Sequence, residues 1–343
     1  MNKPSPHLVP DLGHGAYDQG KSLFVSAQDG LRLHVREYGS RTSPGLPAVC
    51  LPGLARTAAD FDALAPALAA GPPGRLVIAI DSRGRGHSEH DVDHTNYNCM
   101  TELGDIVSIL FALGVGPAVF VGSSRGGILT MLLGAAHPIS IAAVVLHDVG
   151  PVHEAKGMAR IKGYLGKLPH PRTYEEGAEV LRSLMSAQFP NLTTDQWLGS
   201  AQRTWHRKHG GLTPAYDLGI ARALSGIDIE RPMPALWNEF DALAAVPMLV
   251  IRGANSDLLS AETVAAMRAR RNDMDIIEVP DQGHAPLLEG QLVRQIVRFV
   301  ETCEGAGRSP EAAPAPTPPT PPPDVNNQPA SGATTQPAQP PTQ

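Results

Sequence analysis

The sequence predicts an α/β protein: a mostly parallel, doubly wound sheet with a helical insert between two of its strands. Two patterns point there. Short apolar runs alternate with longer helical ones from Leu23 to Leu146, and the same alternation resumes near Pro247 after a long polar, helix-patterned stretch. The short runs are almost wholly apolar, which suits strands covered on both faces.

Residues 31–35 read as an early strand, followed by Ala48–Leu51, 76–80, 118–121 and 142–146. Helical periodicity falls between them at 57–69, 100–113 and 127–136. After Asp148 the alternation stops, and residues 151–234 carry helical, polar sequence broken by Pro169, Pro171, Pro190 and Pro214. It resumes with a strand at 247–251, a helix at 261–271, a strand at 274–279 and a closing helix at 291–302. The expected organisation is an N-terminal extension (1–21), a core (22–150 and 235–303), a helical cap (151–234) and a Pro-rich tail (304–343). Insertion between two strands of one sheet places the cap over their carboxyl ends, where open α/β folds bind ligands.

In residues 310–343, 12 of 34 positions are proline and Val325 is the single Val, Leu, Ile or aromatic residue, so this tail cannot bury enough apolar surface to order itself. The remainder is ample for a core: 343 residues in all, 42% apolar and 18% charged. A net charge of −6, with no run of five Lys or Arg, argues against a nucleic-acid partner. The first twenty residues lack the continuous apolar stretch of a secretory signal, and no later run reaches membrane-spanning length. Cys50, Cys99 and Cys303 are odd in number and widely spaced, which reads as reduced structural thiols in a cytoplasmic protein with no membrane partner. The sequence assigns no oligomeric state.

Directly after the run 118–121 comes Gly122-Ser123-Ser124-Arg125-Gly126, leading into a helical run. In a strand–turn–helix setting a serine flanked at two positions by glycine sits on a strained turn, where larger neighbours would collide with strand and helix. Ser124 is therefore the candidate nucleophile; Ser123 lacks the glycine two positions ahead of it that the turn requires. The helix that begins there directs unpaired N–H groups and a positive dipole end at the same point.

A serine hydroxyl needs a general base, and the base needs a carboxylate. His284, in the loop Pro280-Asp281-Gln282-Gly283-His284-Ala285 between the last strand and last helix, is the candidate base. Two carboxylates follow strand ends: Asp257, in Arg252-Gly253-Ala254-Asn255-Ser256-Asp257, and Asp148, before Gly150-Pro151. Asp257 is preferred, because Asp148 also suits a plain role where the chain leaves the sheet. In Leu51-Pro52-Gly53-Leu54 a glycine lets the backbone approach a substrate, so the N–H groups of Leu54 and Arg125 are the expected oxyanion donors.

With these motifs in place, residues 22–303 resemble the α/β-hydrolase superfamily, in the capped branch that holds carboxylesterases, enol-lactonases and carbon–carbon bond hydrolases. Asp81-Ser82-Arg83-Gly84-Arg85-Gly86-His87-Ser88 is similar to that family's Asp-x-Arg-Gly-x-Gly-x-Ser turn, expected to be structural. The resemblance implies the α/β-hydrolase fold. With serine rather than aspartate at the nucleophile position, it also implies acyl chemistry in place of epoxide or haloalkane opening. Two departures from the pattern are Pro52, where many members carry His, and the bulky Arg125 after the nucleophile.

The expected activity is hydrolysis of a small carboxylic ester, lactone or related carbonyl through an acyl-enzyme on Ser124, with no metal or organic cofactor. The alternatives are carbon–carbon bond hydrolysis by the same residues, a small-molecule receptor that does not turn over, and an adaptor working through its Pro-rich tail. Eleven Lys and Arg against eight Asp and Glu in 151–234 allow a small anionic substrate, although a solvated helical surface accounts for the same charges.

Overall fold

The structure, a computed structural model, describes residues 20–208, 210–225 and 233–306. The expected tail from residue 307 onward and the extension up to residue 19 lie outside the described residues.

The chain opens with an antiparallel hairpin, β1 (Lys21–Ser26) and β2 (Arg32–Tyr38). It continues through β3 (Ala48–Leu51), a 3₁₀ turn at Ala58–Phe61, α1 (Leu64–Ala70), β4 (Val77–Ile80), α2 (Cys99–Leu113), β5 (Ala118–Ser123), α3 (Arg125–Ala136) and β6 (Ile141–His147). The insert follows: α4 (Ala155–Tyr164), α5 (Tyr174–Met185), α6 (Thr194–Thr204), β7 (Trp205–Lys208), β8 (Gly211–Pro214) and α7 (Gly219–Ser225). The core resumes with α8 (Trp237–Asp241), β9 (Met248–Gly253), α9 (Ala261–Arg270), β10 (Asp275–Val279) and α10 (Gly290–Ala306).

Eight strands form one sheet in the order β1-β2-β4-β3-β5-β6-β9-β10. From β4 to β10 neighbouring strands run parallel, whereas β2 pairs antiparallel with both β1 and β4. The period-two alternation of strand side chains builds a core on each face. Val49, Leu51, Phe120, Val144, Leu146 and Val250 pack toward α2, α3 and α8. Their neighbours Ala48, Cys50, Val119, Val121, Val145 and Ile251 pack toward α1 and α10. Both sets are essentially inaccessible to solvent, which is why these strands read as continuous apolar runs.

Departures from the sequence-based expectation include α8, the split of the expected 57–69 helix into a 3₁₀ turn and α1, the edge strand β1 and a hairpin in the insert. β1 is not among the expected strands: its apolar residues Leu23, Phe24 and Val25 are consecutive rather than alternating, and at the sheet edge only Val25 is buried. The insert, expected to be helical, also contains the β7–β8 hairpin, whose first strand Trp-His-Arg-Lys buries Trp205 alone. The insert packs a cluster of its own around Trp197, Trp205, Phe189 and Leu181, so Trp197 and Trp205 serve as packing residues.

The insert meets the loops at the carboxyl ends of the strands. Gly86 N–H donates to the Ala215 carbonyl and Asp217 N–H to the Gly84 carbonyl. Arg56, after β3, reaches the Thr204 hydroxyl at 2.9 Å. Arg160 of α4 meets Asp257 after β9.

Candidate active site

Ser124 follows β5 and precedes α3, with φ 49° and ψ −116°, a left-handed conformation that a non-glycine residue holds only when its surroundings enforce it. Those surroundings are the two glycines. A Cβ on Gly122 would stand 2.6 Å from the backbone of Gly126 and Gly127, and one on Gly126 would collide with the Leu51 carbonyl. The turn is further held by the Ser124 N–H, which donates to the His147 carbonyl at 3.0 Å.

His284 Nε2 lies 2.9 Å from the Ser124 hydroxyl. Its Nδ1 lies 2.7 Å from Asp148 Oδ2. The carboxylate beside His284 is thus Asp148, and the preference for Asp257 is corrected. Asp148 follows β6 as Ser124 follows β5; their preceding residues, Ser123 and His147, are register partners, and both turn residues have positive φ, 54° at Asp148. The Asp148 side chain is fully buried and saturated with donors: Gly253 N–H at 2.7 Å on Oδ1 and the Ser256 hydroxyl at 2.7 Å on Oδ2, besides His284.

Asp257 stands four residues beyond the end of β9 and turns to the insert instead. Arg160 holds it in a two-pronged ion pair at 2.7 and 2.9 Å. Burial pushes its carboxyl up, but Arg160 and Gln188 outweigh that and hold it below the usual carboxylate range. The sequence put both acids after strand ends. What it did not display was the turn at Ser256 that aims Asp257 away while Gly253 and Ser256 close over Asp148.

The loop bearing His284 is pinned from two sides. Asn255 N–H donates to the Gln282 carbonyl at 2.9 Å, and Leu287 N–H donates to Gln282 Oε1 at 2.7 Å. From the insert, Gln188 Oε1 accepts the His284 N–H at 3.3 Å. Neither Gln188 nor Ser256 carried a sequence signal, since each acts on another side chain rather than on a recognisable motif.

Ser123 is separate from this array: its hydroxyl meets His147 Nδ1 at 2.9 Å. Burial drives His147 down to about 4 and His153, in the link from Asp148 to α4, down to about 4 as well, so both rings are neutral near pH 7. The Gly53–Leu54 loop abuts the serine, for a Cβ on Gly53 would stand 3.6 Å from the Ser124 Cβ. Arg125 opens α3, so its N–H has no partner within the helix. Two insert cations counted toward an anionic substrate are committed to acids of the core: Arg160 to Asp257, and Arg203 to Asp60 at 3.8 Å.

Among the described residues no group of three or more His, Cys, Asp or Glu side chains could hold a metal ion, and no helix is long and apolar enough to cross a membrane.

Residues 48–296 match the model of the alpha/beta hydrolase family. The 3-hydroxybutyrate-oligomer hydrolase of Cupriavidus necator is 36% identical over 262 residues, spanning 74% of this chain and 87% of that protein. The 2-(acetamidomethylene)succinate hydrolase of Mesorhizobium japonicum is 26% identical over 255 residues, 74% of this chain and 85% of that one. Among solved structures, an alpha/beta hydrolase from Novosphingobium aromaticivorans superposes with a TM-score of 0.76 at 39% identity, covering 82% of this chain and 98% of that one.

Proposed function

Since the chain belongs to the α/β-hydrolase family, we propose that it is a serine hydrolase cleaving small carboxylic esters through an acyl-enzyme on Ser124. One observation carries the reading: the continuous line from the Ser124 hydroxyl through His284 to the buried Asp148, at 2.9 and 2.7 Å.

As Ser124 Oγ bonds to the substrate carbonyl carbon, His284 Nε2 accepts its proton, and Asp148 steadies the imidazolium through the Nδ1–H. The N–H groups of Leu54 and Arg125 meet the negative charge that develops on the carbonyl oxygen. Collapse of the tetrahedral species expels the alcohol oxygen, which takes the proton from His284. Water, deprotonated by the same imidazole, then attacks the acyl-enzyme, releasing the acid and restoring Ser124.

For the substrate class we propose an ester of a short hydroxy acid that carries its own carboxylate. Support comes from the names of two relatives, a 3-hydroxybutyrate-oligomer hydrolase and a succinate-derivative hydrolase, which both denote acids. The test is fluorophosphonate labelling with peptide mapping, alongside turnover of 3-hydroxybutyrate dimer and trimer and of a neutral aryl acetate. An adduct on Ser124 with faster turnover of the oligomers supports the reading. Absence of an adduct together with inertness toward all three esters rejects it, and preference for the aryl acetate rejects the substrate class.

A further inference from the structure

A buried carboxylate unrelated to the His284–Asp148 pair ties together the two residues that supply the oxyanion donors. Glu102 lies in the first turn of α2, with its side chain 2% exposed. Its Oε1 accepts Arg85 Nη1 at 2.7 Å and its Oε2 accepts Arg125 Nε at 2.6 Å. Arg85, whose side chain is wholly buried in the turn after β4, donates from Nε to the Leu54 carbonyl at 2.8 Å and from Nη1 to the Arg83 carbonyl at 2.6 Å.

One end of this chain of bonds therefore holds Leu54 on the loop after β3, and the other holds Arg125 at the start of α3. These are separate segments that must present N–H groups to a single oxygen. Charge-assisted bonds of this length, buried and shared through one carboxylate, fix geometry far better than a flexible glycine loop does by itself. The bulky Arg125 beside the nucleophile, a departure in the sequence, has its purpose here.

We propose that Glu102, acting through Arg85 and Arg125, is a positioning residue that sets the spacing of the two oxyanion donors. The inference rests on the serine hydrolase reading above. Burial would drive the Glu102 carboxyl up, yet the two guanidiniums outweigh it and keep it ionised, as this role requires.

The test is Glu102→Gln, measured per active site by burst titration. A displaced donor weakens stabilisation of the tetrahedral anion and leaves ground-state binding alone, so kcat should fall about 10- to 100-fold while KM changes less than about threefold. A boronic acid that forms a tetrahedral anion on Ser124 should lose affinity by the same factor, and the apparent pKa of kcat/KM should stay where it is. A purely structural role would lower the melting temperature and leave boronate affinity and kcat per titrated site within twofold of wild type; that result overturns the proposal.

Where Glu102→Gln gives too little folded protein, Arg125→Met keeps the backbone N–H, releases it from Glu102 and carries the same expectations. If wild type itself neither labels nor turns over ester, the serine hydrolase reading fails. If wild type is active and the titrated variants match it, the positioning role alone fails.

Discussion

Among the described residues, two Ser–His–Asp arrays have nearly the same dimensions. In one, Ser124, His284 and Asp148 stand at 2.9 and 2.7 Å. In the other, the Ser22 hydroxyl lies 2.6 Å from His34 Nε2, and His34 Nδ1 lies 2.7 Å from Asp81 Oδ2. Distances do not separate them; surroundings do. Ser22 is an exposed residue within β1, the sheet's edge strand, paired in ordinary register with Arg36. Ser124 is held at φ 49° between two glycines, at a helix N-terminus and against the Gly53 loop.

The carboxylates differ in the same way. Asp81 accepts the N–H groups of Ala58 at 2.7 Å and His87 at 3.0 Å, organising the turns after β3 and β4 around a buried histidine. Asp148 receives its other bonds from Gly253 and Ser256, which leave it facing His284. A serine and an aspartate flanking an imidazole are thus an economical way to satisfy a buried histidine. Becoming a nucleophile requires donors for the oxyanion and a turn that presents the hydroxyl.

The largest effect that distinguishes the two should come from Ser124→Ala. Ester turnover should fall by roughly 10⁴-fold or more, and fluorophosphonate labelling should vanish although Ser22, His34 and Asp81 are intact. Residual labelling that maps to Ser22 would place the two arrays on an equal footing and defeat the comparison.

The next largest concerns the acid. Asp148→Asn should lower kcat by roughly 10³- to 10⁴-fold, since an amide in that position favours the wrong imidazole tautomer. Asp257→Asn should leave kcat within about fivefold of wild type. It should instead destabilise the fold by about 1–3 kcal/mol in denaturant titration, because Arg160 would lose its charged partner. A reversal of these two kcat values would restore Asp257 as the acid.

These substitutions mark where the sequence was informative. The parallel sheet, Ser124 and His284 were legible because each is announced locally: all-apolar strands, glycines around a strained serine, a glycine before a loop histidine. The β1 strand was not, for an edge strand with one buried side chain has no periodicity to read. The choice between Asp148 and Asp257 was illegible for another reason. Both stand after strands, and the decision lies in sheet order, which sets β6 between β5 and β9 and so puts Asp148 beside Ser124. Glu102 is further from view still, since its partners Arg85 and Arg125 come together through the fold alone.

A smaller effect concerns buried imidazoles that no carboxylate in direct contact stabilises. His147 and His153 fall from an ordinary 6.5 to about 4 on burial, so the unfolded chain binds more protons than the native one between those values. Their contribution to stability is therefore complete above about pH 6.5 and lost as the pH falls toward 4. Thermal unfolding should show a declining melting temperature across that window, and His147→Gln should remove part of the slope. A melting temperature independent of pH from 7 to 4 would count against neutral buried rings.

The smallest effect is expected at Ser22, where the comparison is most exposed to failure. Ser22→Ala removes the partner of His34 Nε2, yet the ring keeps its bond to Asp81 and its contacts with Phe24 and His87, with centroids 5.2 and 4.9 Å away. Because Ser22 is exposed, water can replace the lost hydroxyl, so destabilisation should be no more than about 1 kcal/mol. Ester turnover and the labelling rate should stay within twofold of wild type. Were Ser22→Ala to slow either by an order of magnitude, the second array would be coupled to the first. The route would run through Asp81 and Ala58 to the loop after β3 that carries Leu54.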